Sequence, residues 1–519
     1  NSCAIVSSSF LFINIGGLMK IQFLYPRWTG EYGLFGYFAK RNSTWMPQNI
    51  ALLAAVAEQH GHTASIIDAQ AEEINEDTLV NMALASKPDI FALTCYSPFF
   101  HLNTSLAQKI RESGSKIPII VGGPHITIMK EKIAQQYPQF DYLFIGESEQ
   151  SLPNFLTAYE KGHDLSQTDG IIFKKNNEII AGKPQWIPTT IKITGKTVEQ
   201  ESALDRYPFP ARHLLPMKRY LLGTADGRNH FTSIHTMRGC PWHCIFCASE
   251  ALKTTRMAMR SPESVVNEIK QVLKDYPYIT HVFFTDDVLT LWYEQHMRKV
   301  CDLILEEGIK ITFESSTRAN LVEDEMVAHM AKAGLVRMSM GLETVNTQMR
   351  DTMRKQVKLE DYTKALKIFE KYGVEGMTSV MIGLPGETRE SIEELGRWLD
   401  NTKEAKQANV AIAIPYPGTE FNDIAVSGAH GVQLKSEDFS EYLRYGKAVT
   451  KVGELTSEDL IVIQNKMFVR VYSKWWRWKP MYNKHGIWGF VLLGVRCFRD
   501  IKHRLFGKKV EPAMTHPKN

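Results

Sequence analysis

The stretch Cys240-Pro-Trp-His-Cys244-Ile-Phe-Cys247 decides the interpretation of this sequence. Three of the seven cysteines in the 519-residue chain lie within it, in the spacing C-x3-C-x2-C. The preceding residues 233–236 have strand character, so we expect the thiols on a loop just after a strand. Seven cysteines are too few for a disulfide scaffold, and their crowding indicates a metal site in a reducing compartment.

The spacing of the three cysteines favours an iron–sulfur cluster. Three thiolates in one tight loop can hold three irons of a [4Fe–4S] cube and leave the fourth iron open to a small molecule. Ferredoxin clusters use four cysteines, and structural zinc sites use four ligands, commonly in C-x2-C pairs. Two alternatives stay open from spacing alone: a Cys3His zinc site completed by His243, and buried, unreactive thiols.

Composition and charge indicate an ordinary globular chain. Hydrophobic residues make up 44% and charged residues 23%, which excludes a disordered tail, a collagen-like repeat and a coiled coil. The 61 basic and 57 acidic residues nearly cancel, so no nucleic-acid partner is expected. At roughly 150 residues per domain, the length predicts three to four domains.

The chain termini carry no clear targeting or membrane signal. Residues 1–18 form an apolar, Ser-rich extension without Lys or Arg, so they lack the basic start of a secretory signal, and Met19 is the expected natural start. The longest apolar run, residues 486–495, is about half of the roughly 20 residues that a membrane span needs. We therefore expect a cytoplasmic protein that contacts membranes only at their surface.

Residues 19–165 alternate strand and helix, which predicts a Rossmann-like, doubly wound parallel α/β sheet. The expected strands begin at Lys20 and then cover residues 65–68, 90–94, 117–121 and 142–145. Ligands of such sheets bind at the carboxyl ends of the strands. The candidate binding residues at these ends are Thr94, Ser97, Gly122, Gly123, Gly146 and Glu147. No G-x-G-x-x-G follows the first strand, so a dinucleotide is not indicated.

Residues 166–232 are predicted to be a connector, with a hairpin near residues 175–178 and a proline-rich stretch at 207–210. Residues 233–425 resume the alternation, with strands expected at 233–236, 281–285, 310–315, 337–340, 375–382 and 410–414. Six such units predict a partial (β/α)6 barrel. Ser261 is expected to cap a helix start, and Gly334 and Gly373 to follow helix ends.

Residues 426–519 are expected to form a mainly helical, basic and tryptophan-rich region. From Lys466 to Lys509 there are twelve Lys or Arg residues against one acid, Asp500. The interleaved tryptophans are Trp475, Trp476, Trp478 and Trp488. One interpretation is an element lying on anionic lipid, or guiding a lipid or tetrapyrrole carboxylate into the site. The other is a solvated helical lid whose tryptophans pack on the barrel.

The cysteine stretch resembles the radical S-adenosylmethionine (SAM) superfamily, whose signature is C-x3-C-x-aromatic-C, with Phe246 as the aromatic residue. Segments 284–287, 314–318, 341–344, 383–388 and 415–419 look like family motifs at successive strand ends. The resemblance implies a cluster on Cys240, Cys244 and Cys247. It also implies SAM contacts from Phe246, Thr285, Asp286, Ser315, Arg318, Glu343 and Pro385.

Individual roles follow from the same resemblance. Thr285 and Asp286 would face the methionine amino group, and Ser315, Arg318 and Glu343 would face the ribose or the carboxylate. Each polar side chain also has a structural alternative. A polar residue at a strand end could instead cap the next helix. Glu343 could be an acid favoured by the dipole at a helix start, and Arg318 could form a structural ion pair.

Radical SAM proteins with an α/β domain before the cluster resemble the cobalamin-dependent class. Segments 121–127, 146–149 and 207–212 look like that class. The resemblance implies cobalamin at the strand ends of the first domain, without a histidine from the protein on cobalt. The Asp-x-His-x-x-Gly pattern that supplies such a histidine is absent, and His125 lies in a different pattern. The alternative is a domain that has lost cobalamin and only packs on the barrel.

The chain is similar to the group of anaerobic magnesium-protoporphyrin monomethyl ester cyclases and P-methylases. This resemblance implies a 5′-deoxyadenosyl radical from SAM, and methylation or oxidative cyclisation of an unactivated carbon in a tetrapyrrole, lipid or natural product. A reducing donor such as flavodoxin or ferredoxin is the implied partner. A methylthio-transferring enzyme of tRNA is less favoured, because Cys3 and Cys95 do not form a second cluster set. A non-enzymatic iron–sulfur electron carrier is the other alternative.

Overall fold

The computed structural model describes residues 18–31, 44–187, 191–194, 197–200, 203–249, 251–252 and 257–506, with backbone only within 191–200 and from 499 onward. Two seven-stranded sheets dominate these residues. Each sheet has a mainly parallel core, and the three cysteines lie on the loop that follows the first parallel strand of the second sheet.

The first sheet has the order β2-β1-β3-β4-β5-β6-β7. Its strands are β1 (Lys20–Tyr25), β2 (Thr63–Asp68), β3 (Ile90–Thr94), β4 (Ile119–Gly122), β5 (Tyr142–Phe144), β6 (Ile171–Lys175) and β7 (Glu178–Ala181). The first five are parallel, as expected, and β4 begins only after Pro118, which has no N–H to donate. The predicted hairpin is β6–β7, and it extends the sheet antiparallel beyond residue 165.

Helices cover both faces of this sheet. They are α1 (Gln48–Gln59), α2 (Ala69–Glu72), α3 (Glu76–Ala85), α4 (Phe100–Glu112), α5 (Pro124–Met129), α6 (Glu131–Gln136) and α7 (Ser148–Glu160). Ala54 of α1 and Phe155 of α7 belong to one apolar core, and Leu106 of α4 belongs to the other. The sheet is therefore doubly wound, with its strand ends left open as a binding edge.

The connector fastens the two sheets to each other. It contains the hairpin β8 (Ile191–Thr194) and β9 (Thr197–Gln200). Farther on, the backbone N–H of Ala211 donates to the carbonyl of Ala51 in α1 at 2.9 Å. The buried Arg212 donates from Nε to Thr232 Oγ1 at 2.8 Å and from Nη2 to Glu268 Oε1 at 2.5 Å. A guanidinium buried with its carboxylate partner fixes the connector against the barrel.

The second sheet follows the order β10-β11-β14-β15-β16-β17-β18. Its strands are β10 (Leu221–Thr224), β11 (Gly227–Ile234), β14 (His281–Phe284), β15 (Thr312–Thr317), β16 (Leu335–Glu343), β17 (Glu375–Ile382) and β18 (Gln407–Ile412), while β12 (Met237–Arg238) and β13 (Ala258–Met259) form a small ribbon. The six parallel strands confirm the partial barrel. The sheet begins before residue 233, because β10 adds an antiparallel edge to a longer β11.

Helices line the outer face of the barrel sheet. They are α8 (Pro262–Asp275), α9 (Met297–Glu306), α10 (Asp324–Ala333), α11 (Thr347–Thr352), α12 (Leu359–Lys371) and α13 (Arg389–Asn401). The Ser261 hydroxyl accepts from the N–H of Ser264 at 3.1 Å, as expected of an N-cap. Gly334 and Gly373 follow helix ends at positive φ, +115° and +71°, as predicted.

The C-terminal region packs on the barrel. It comprises α14 (Glu420–Ser427), β19 (Val432–Leu434), β20 (Thr450–Val452), α15 (Ser457–Tyr472), α16 (Trp478–His485) and α17 (Ile487–Phe506). Leu460 and Val471 of α15 and Met481 of α16 belong to the barrel core. Among the described residues, no helix combines the length and the apolar character that crossing a membrane requires.

Candidate active site

The cysteine loop is held in place by the barrel. Cys240, Cys244 and Cys247 are free, half-buried thiols. Between them, the N–H of Ile245 donates to the carbonyl of Met353 at 3.3 Å, and the carbonyl of Ile245 accepts from the N–H of Phe421 at 3.0 Å. Burial raises the pKa of Cys240 to about 11, so this thiol stays protonated until a metal displaces the proton. The loop supplies the three thiols that a [4Fe–4S] cluster with one open iron needs, although no three metal-ligating side chains among the described residues converge on one ion position in this structure.

The carboxylate of Asp286 is hydrogen-bonded to the segment that leads into the cysteine loop. Only 4% of Asp286 is exposed, and its carboxylate accepts from the backbone N–H and the hydroxyl of Thr236 and from the N–H of Met237. Burial raises its pKa to about 6. The side chain therefore braces the chain that leads into the cysteine loop.

The next residue, Asp287, does face open space. Asp287 and Thr285 line a cavity between the two domains, and both are exposed there. The sequence analysis included Asp287 only within segment 284–287 and gave it no role of its own. Because neighbouring side chains of an extended chain point to opposite sides, the burial of Asp286 leaves Asp287 on the open side. Ser315 is 2% exposed and donates its hydroxyl to the carbonyl of Phe284 at 2.8 Å, so it ties two barrel strands together.

Glu343 is paired with a lysine that the sequence analysis did not identify. Its Oε1 accepts from Lys355 Nζ at 3.0 Å, and both residues are nearly buried. Glu343 has φ +64° at an irregularity in the pairing of β16 with β17, and a Cβ at Gly341 would lie 2.3 Å from Glu343 Oε1. Lys355 Nζ also lies 6.0 Å from the centre of the Phe246 ring. The pair therefore sits directly against the cysteine loop.

Arg318 offers an unused buried donor at the same place. Its guanidinium lies 4.0 Å from the ring centre of Trp242, within the cysteine loop, and its Nη2 donates to the carbonyl of Lys355. Its Nε is buried and has no hydrogen-bond partner among the described residues. A guanidinium with an unpaired buried N–H fits a carboxylate ligand. Pro385 lines a separate 520 Å³ groove.

A 720 Å³ cavity separates the strand ends of the first sheet from the barrel. From the first domain it is lined by Thr94, Gly122, Gly123, Gly146 and Glu147. Gly123 has φ +102°, and a Cβ there would lie 2.7 Å from the carbonyl oxygen of Cys95. At Gly146, with φ +84°, a Cβ would lie 2.1 Å from the carbonyl oxygen of Gln185. Glycine therefore lets these backbones pack closely where they line the cavity.

Polar contacts join the two domains across this cavity. Arg238, which lies two residues before Cys240, donates from Nη1 to Glu147 at 3.2 Å and contacts Glu149 at 2.6 Å. The Gln48 side chain bridges to His235 Nδ1 at 2.9 Å and accepts from the Thr285 hydroxyl at 3.3 Å. The first domain thus contacts the barrel immediately beside the cysteine loop.

Ser97 is not part of the 720 Å³ cavity. Its hydroxyl pairs with His125 Nδ1 at 2.9 Å, and His125 is fully buried between the rings of Phe100 and Phe439. Burial lowers the pKa of His125 to about 4, so the imidazole is neutral. Ser97 instead lines a second cavity, on the side of the C-terminal region. His125 itself is enclosed and does not line the first cavity.

Two family profiles match the chain. The radical SAM superfamily matches residues 234–399, and the B12-binding domain matches residues 36–156. The domain order of the sequence interpretation is therefore confirmed, and the cofactors are a [4Fe–4S] cluster, SAM and cobalamin. This result favours the iron–sulfur interpretation of the cysteines over the zinc and inert-thiol alternatives.

Individual relatives agree with both profiles. An uncharacterized methyltransferase of Pyrococcus horikoshii is 26% identical over 83% of this chain and 89% of its own. The anaerobic magnesium-protoporphyrin IX monomethyl ester cyclase of Rubrivivax gelatinosus is 24% identical over 82% and 72%. The structure of the radical SAM methyltransferase TsrM from Kitasatospora setae, with cobalamin and a [4Fe–4S] cluster, shares the fold (TM-score 0.64, 16% identity, 82% of each chain). The chain thus carries a B12-binding domain followed by a radical SAM domain, and its relatives include cobalamin-dependent radical SAM enzymes.

Proposed function

We propose that this enzyme transfers a methyl group to an unactivated carbon of a tetrapyrrole, lipid or natural product. The observation that carries the proposal is the 720 Å³ cavity, which residues from the strand ends of both domains line together. When bound, the cluster and SAM supply a carbon radical, and cobalamin supplies a transferable methyl group. The protein positions both cofactors around one water-excluding space.

On the barrel side, we assign SAM binding to residues near the cysteine loop. The unpaired Nε of Arg318 suits the SAM carboxylate, and the exposed Thr285 and Asp287 suit its amino or ribose groups. Glu343 and Lys355 form a neighbouring charged pair that supports this wall. Phe246 completes the apolar packing behind the loop.

On the side of the first domain, we assign cobalamin binding to the glycine-lined edge. Gly122, Gly123, Gly146, Thr94 and Glu147 all line the cavity at this edge. The absence of a protein histidine on cobalt stays a prediction. Retention of corrin absorption bands after reconstitution with hydroxocobalamin and desalting tests this assignment, and a protein that emerges without them would refute it.

The reaction is tested by anaerobic turnover with SAM that carries a deuterated methyl group. Candidate tetrapyrroles and lipids are then analysed by mass spectrometry. Methyl transfer predicts a product that carries the deuterated methyl. An unlabelled product formed together with 5′-deoxyadenosine would contradict methyl transfer and would favour oxidative ring formation.

A reduced flavodoxin or ferredoxin is the proposed electron donor, because SAM cleavage at the cluster needs one electron at a time. The half-buried cysteines place the cluster within reach of the surface. SAM cleavage supported by reduced flavodoxin in place of dithionite is the expected result. No cleavage with either protein donor, under conditions where dithionite works, would contradict it.

The C-terminal helices carry an apolar face that we assign to an anionic membrane surface. Along α17, Trp488, Val491, Val495 and Phe498 recur at intervals of three and four residues, and all are exposed. Phe490 and Leu493, on the opposite face, pack against the barrel core. The region has twelve basic residues against one acid between Lys466 and Lys509, so its charge complements anionic lipid.

Liposome co-sedimentation with phosphatidylglycerol and with phosphatidylcholine vesicles tests this contact. The double variant Val491→Asp, Val495→Asp places two acids on the exposed face. Val426→Asp, at an exposed valine of α14, is the matched control. Loss of binding to anionic vesicles by the double variant alone is expected. Equal binding by the double variant and the control would refute the lipid surface.

A further inference from the structure

Arg238 joins the barrel to the first domain at the edge of the 720 Å³ cavity, which it lines. Its Nη1 lies 3.2 Å from Glu147 Oε1 and 2.6 Å from Glu149 Oε1. Both carboxylates belong to the first domain, because Glu147 directly precedes α7 and Glu149 lies in its first turn. One guanidinium of the barrel therefore holds two acids of the other domain.

The acidic side of this contact is fixed independently of Arg238. The backbone N–H of Glu147 donates to the carbonyl of Gln185 at 2.8 Å, and its Oε2 accepts from the N–H of Ile187 at 2.5 Å. Glu149 is only 7% exposed, so the surrounding protein encloses its carboxylate. The first domain therefore presents both acids in a set position.

The arginine is fixed on the barrel side as well. Arg238 pairs with Ala258 in the ribbon of β12 and β13, and the N–H of the neighbouring Met237 donates to a buried carboxylate at 2.7 Å. Only Gly239 separates Arg238 from Cys240 in the sequence. A movement of the Arg238 backbone therefore passes directly to the cysteine loop.

The charges decide what happens when the arginine is removed. Two carboxylates that contact the same guanidinium nitrogen repel each other when its positive charge is missing. Glu149 would then be a buried anion without a partner, which is strongly unfavourable. The nearby contact of Gln48 with His235 supplies no replacement charge, because burial and neighbouring arginines lower the pKa of His235 well below its usual value. Arg238 therefore holds the acidic edge against the barrel.

This contact lies between the two assigned cofactor sites. Cys240, two residues after Arg238, begins the cluster loop, and Glu147 directly follows Gly146 at the edge assigned to cobalamin. Hydrogen abstraction and methyl delivery must reach the same substrate carbon, and bound reacting atoms need to lie about 3–3.5 Å apart. The separation of the two cofactor sites is therefore a distance that the protein has to fix.

We propose that Arg238 is a positioning residue that fixes the separation of the iron–sulfur cluster and cobalamin by clamping Glu147 and Glu149 to the cysteine loop. This inference rests on the proposed function, which assigns cobalamin to the first cavity. Arg238 acts through Cys240 on one side and through the segment that follows Gly146 on the other. Without the clamp, each cofactor keeps its own domain and the two domains separate at this edge.

The test measures the distance between cluster and cobalt by pulsed electron paramagnetic resonance. The full chain is reconstituted with the cluster and hydroxocobalamin and reduced with dithionite, so that both centres are paramagnetic. The wild type is expected to give a narrow distance distribution. Arg238→Met is expected to give a longer and broader one. Arg238→Lys keeps a positive charge between the two acids and is expected to restore the narrow distribution.

Two further variants make the result specific. Arg219→Met, at an exposed arginine of the connector, is expected to match the wild type. Arg238→Met combined with Glu149→Gln removes the buried charge that the single variant leaves unpaired. This double variant folds even where the single variant does not, and it is also expected to broaden the distribution. Iron, sulfide and corrin absorption report the assembly of each variant.

Three results would overturn the inference. A narrow, wild-type distance in Arg238→Met or in the double variant would show that other contacts fix the separation. A distribution as broad in Arg238→Lys as in Arg238→Met would show that the charge plays no part. A wild type without corrin absorption would refute the cobalamin assignment of the proposed function and this inference with it, whereas the first two results leave that assignment standing.

Discussion

The carboxylate of Asp286 accepts a hydrogen bond at 2.7 Å from the backbone N–H of Met237, three residues before the first cysteine of the loop. Asp286→Asn replaces an acceptor of several hydrogen bonds by an amide with one acceptor oxygen. An unsatisfied buried group costs about 1–3 kcal/mol, so the loop should lose its fixed geometry. We expect much less iron and sulfide after reconstitution.

Asp287→Asn is the matched control for that experiment, because Asp287 faces the cavity and does not hold the loop. It should retain iron and sulfide and lose SAM binding. The bracing role of Asp286 would be wrong if Asp286→Asn assembled a full cluster, as measured by iron and sulfide analysis.

Because Lys355 and Glu343 form a buried ion pair, we expect substitutions of the two residues to have non-additive effects on the free energy of unfolding. Lys355→Met leaves an unpaired carboxylate and should lower the free energy of unfolding by about 3 kcal/mol. Adding Glu343→Gln removes that charge and should restore much of the loss. Anaerobic urea unfolding of the reconstituted single and double variants measures the coupling, and strictly additive effects would argue against the pair.

Gly123→Ala should abolish cobalamin retention. Its Cβ would lie 2.7 Å from the carbonyl oxygen of Cys95, so the strand ends must separate. Gly114→Ala is the control, because Gly114 also has positive φ, +83°, but nothing lies within 4 Å of its Cβ. We expect Gly114→Ala to cost about 1 kcal/mol in stability and to retain cobalt. Similar cobalt contents in the two variants would contradict the claim that cobalamin retention depends on the close packing at Gly123.

Glu387 predicts a stability that depends on pH. It is 5% exposed, its carboxyl group accepts from the hydroxyl of Ser391 at 2.6 Å, and burial raises its pKa from 4.5 to about 7. Between these values the folded state holds a proton that the unfolded state releases. The protonated Glu387 carboxyl group therefore contributes about 3 kcal/mol to the free energy of unfolding. This contribution is fully present below pH 4.5 and is lost as the pH rises through 7.

Glu387→Gln removes this titration, so its free energy of unfolding should fall less than that of the wild type between about pH 5 and about pH 8. Glu390→Gln, at an exposed neighbour, should keep the wild-type slope. Urea unfolding at both pH values provides the measurement, and identical slopes for wild type and Glu387→Gln would count against a raised pKa.

The sequence predicted both sheets because many of their strands are short apolar runs separated by amphipathic helices, as in β3 and β14. It missed β10 and the start of β11, since Arg228 and Asn229 are polar residues on an exposed edge. The cysteine loop was predictable from spacing alone. The contact of Arg318 with Lys355 was not predictable, because the two residues are far apart in the sequence and only the fold brings them together.

Side-chain direction accounts for the remaining differences. Asp286 and Asp287 are adjacent in sequence, yet one braces a backbone and the other faces a cavity. Ser97 and Thr94 belong to the same strand end, but a helical turn carries Ser97 to a second cavity beside His125. A sequence motif assigns a segment to a site, whereas the local backbone decides which of its side chains reaches the ligand.

The most direct test of the central claim is electron paramagnetic resonance of the anaerobically reconstituted, dithionite-reduced protein before and after addition of SAM. A cluster held by Cys240, Cys244 and Cys247 with one open iron predicts a cubane signal that changes when SAM binds. A protein that contains zinc in place of iron, or a cluster signal that SAM leaves unaltered, would contradict the account.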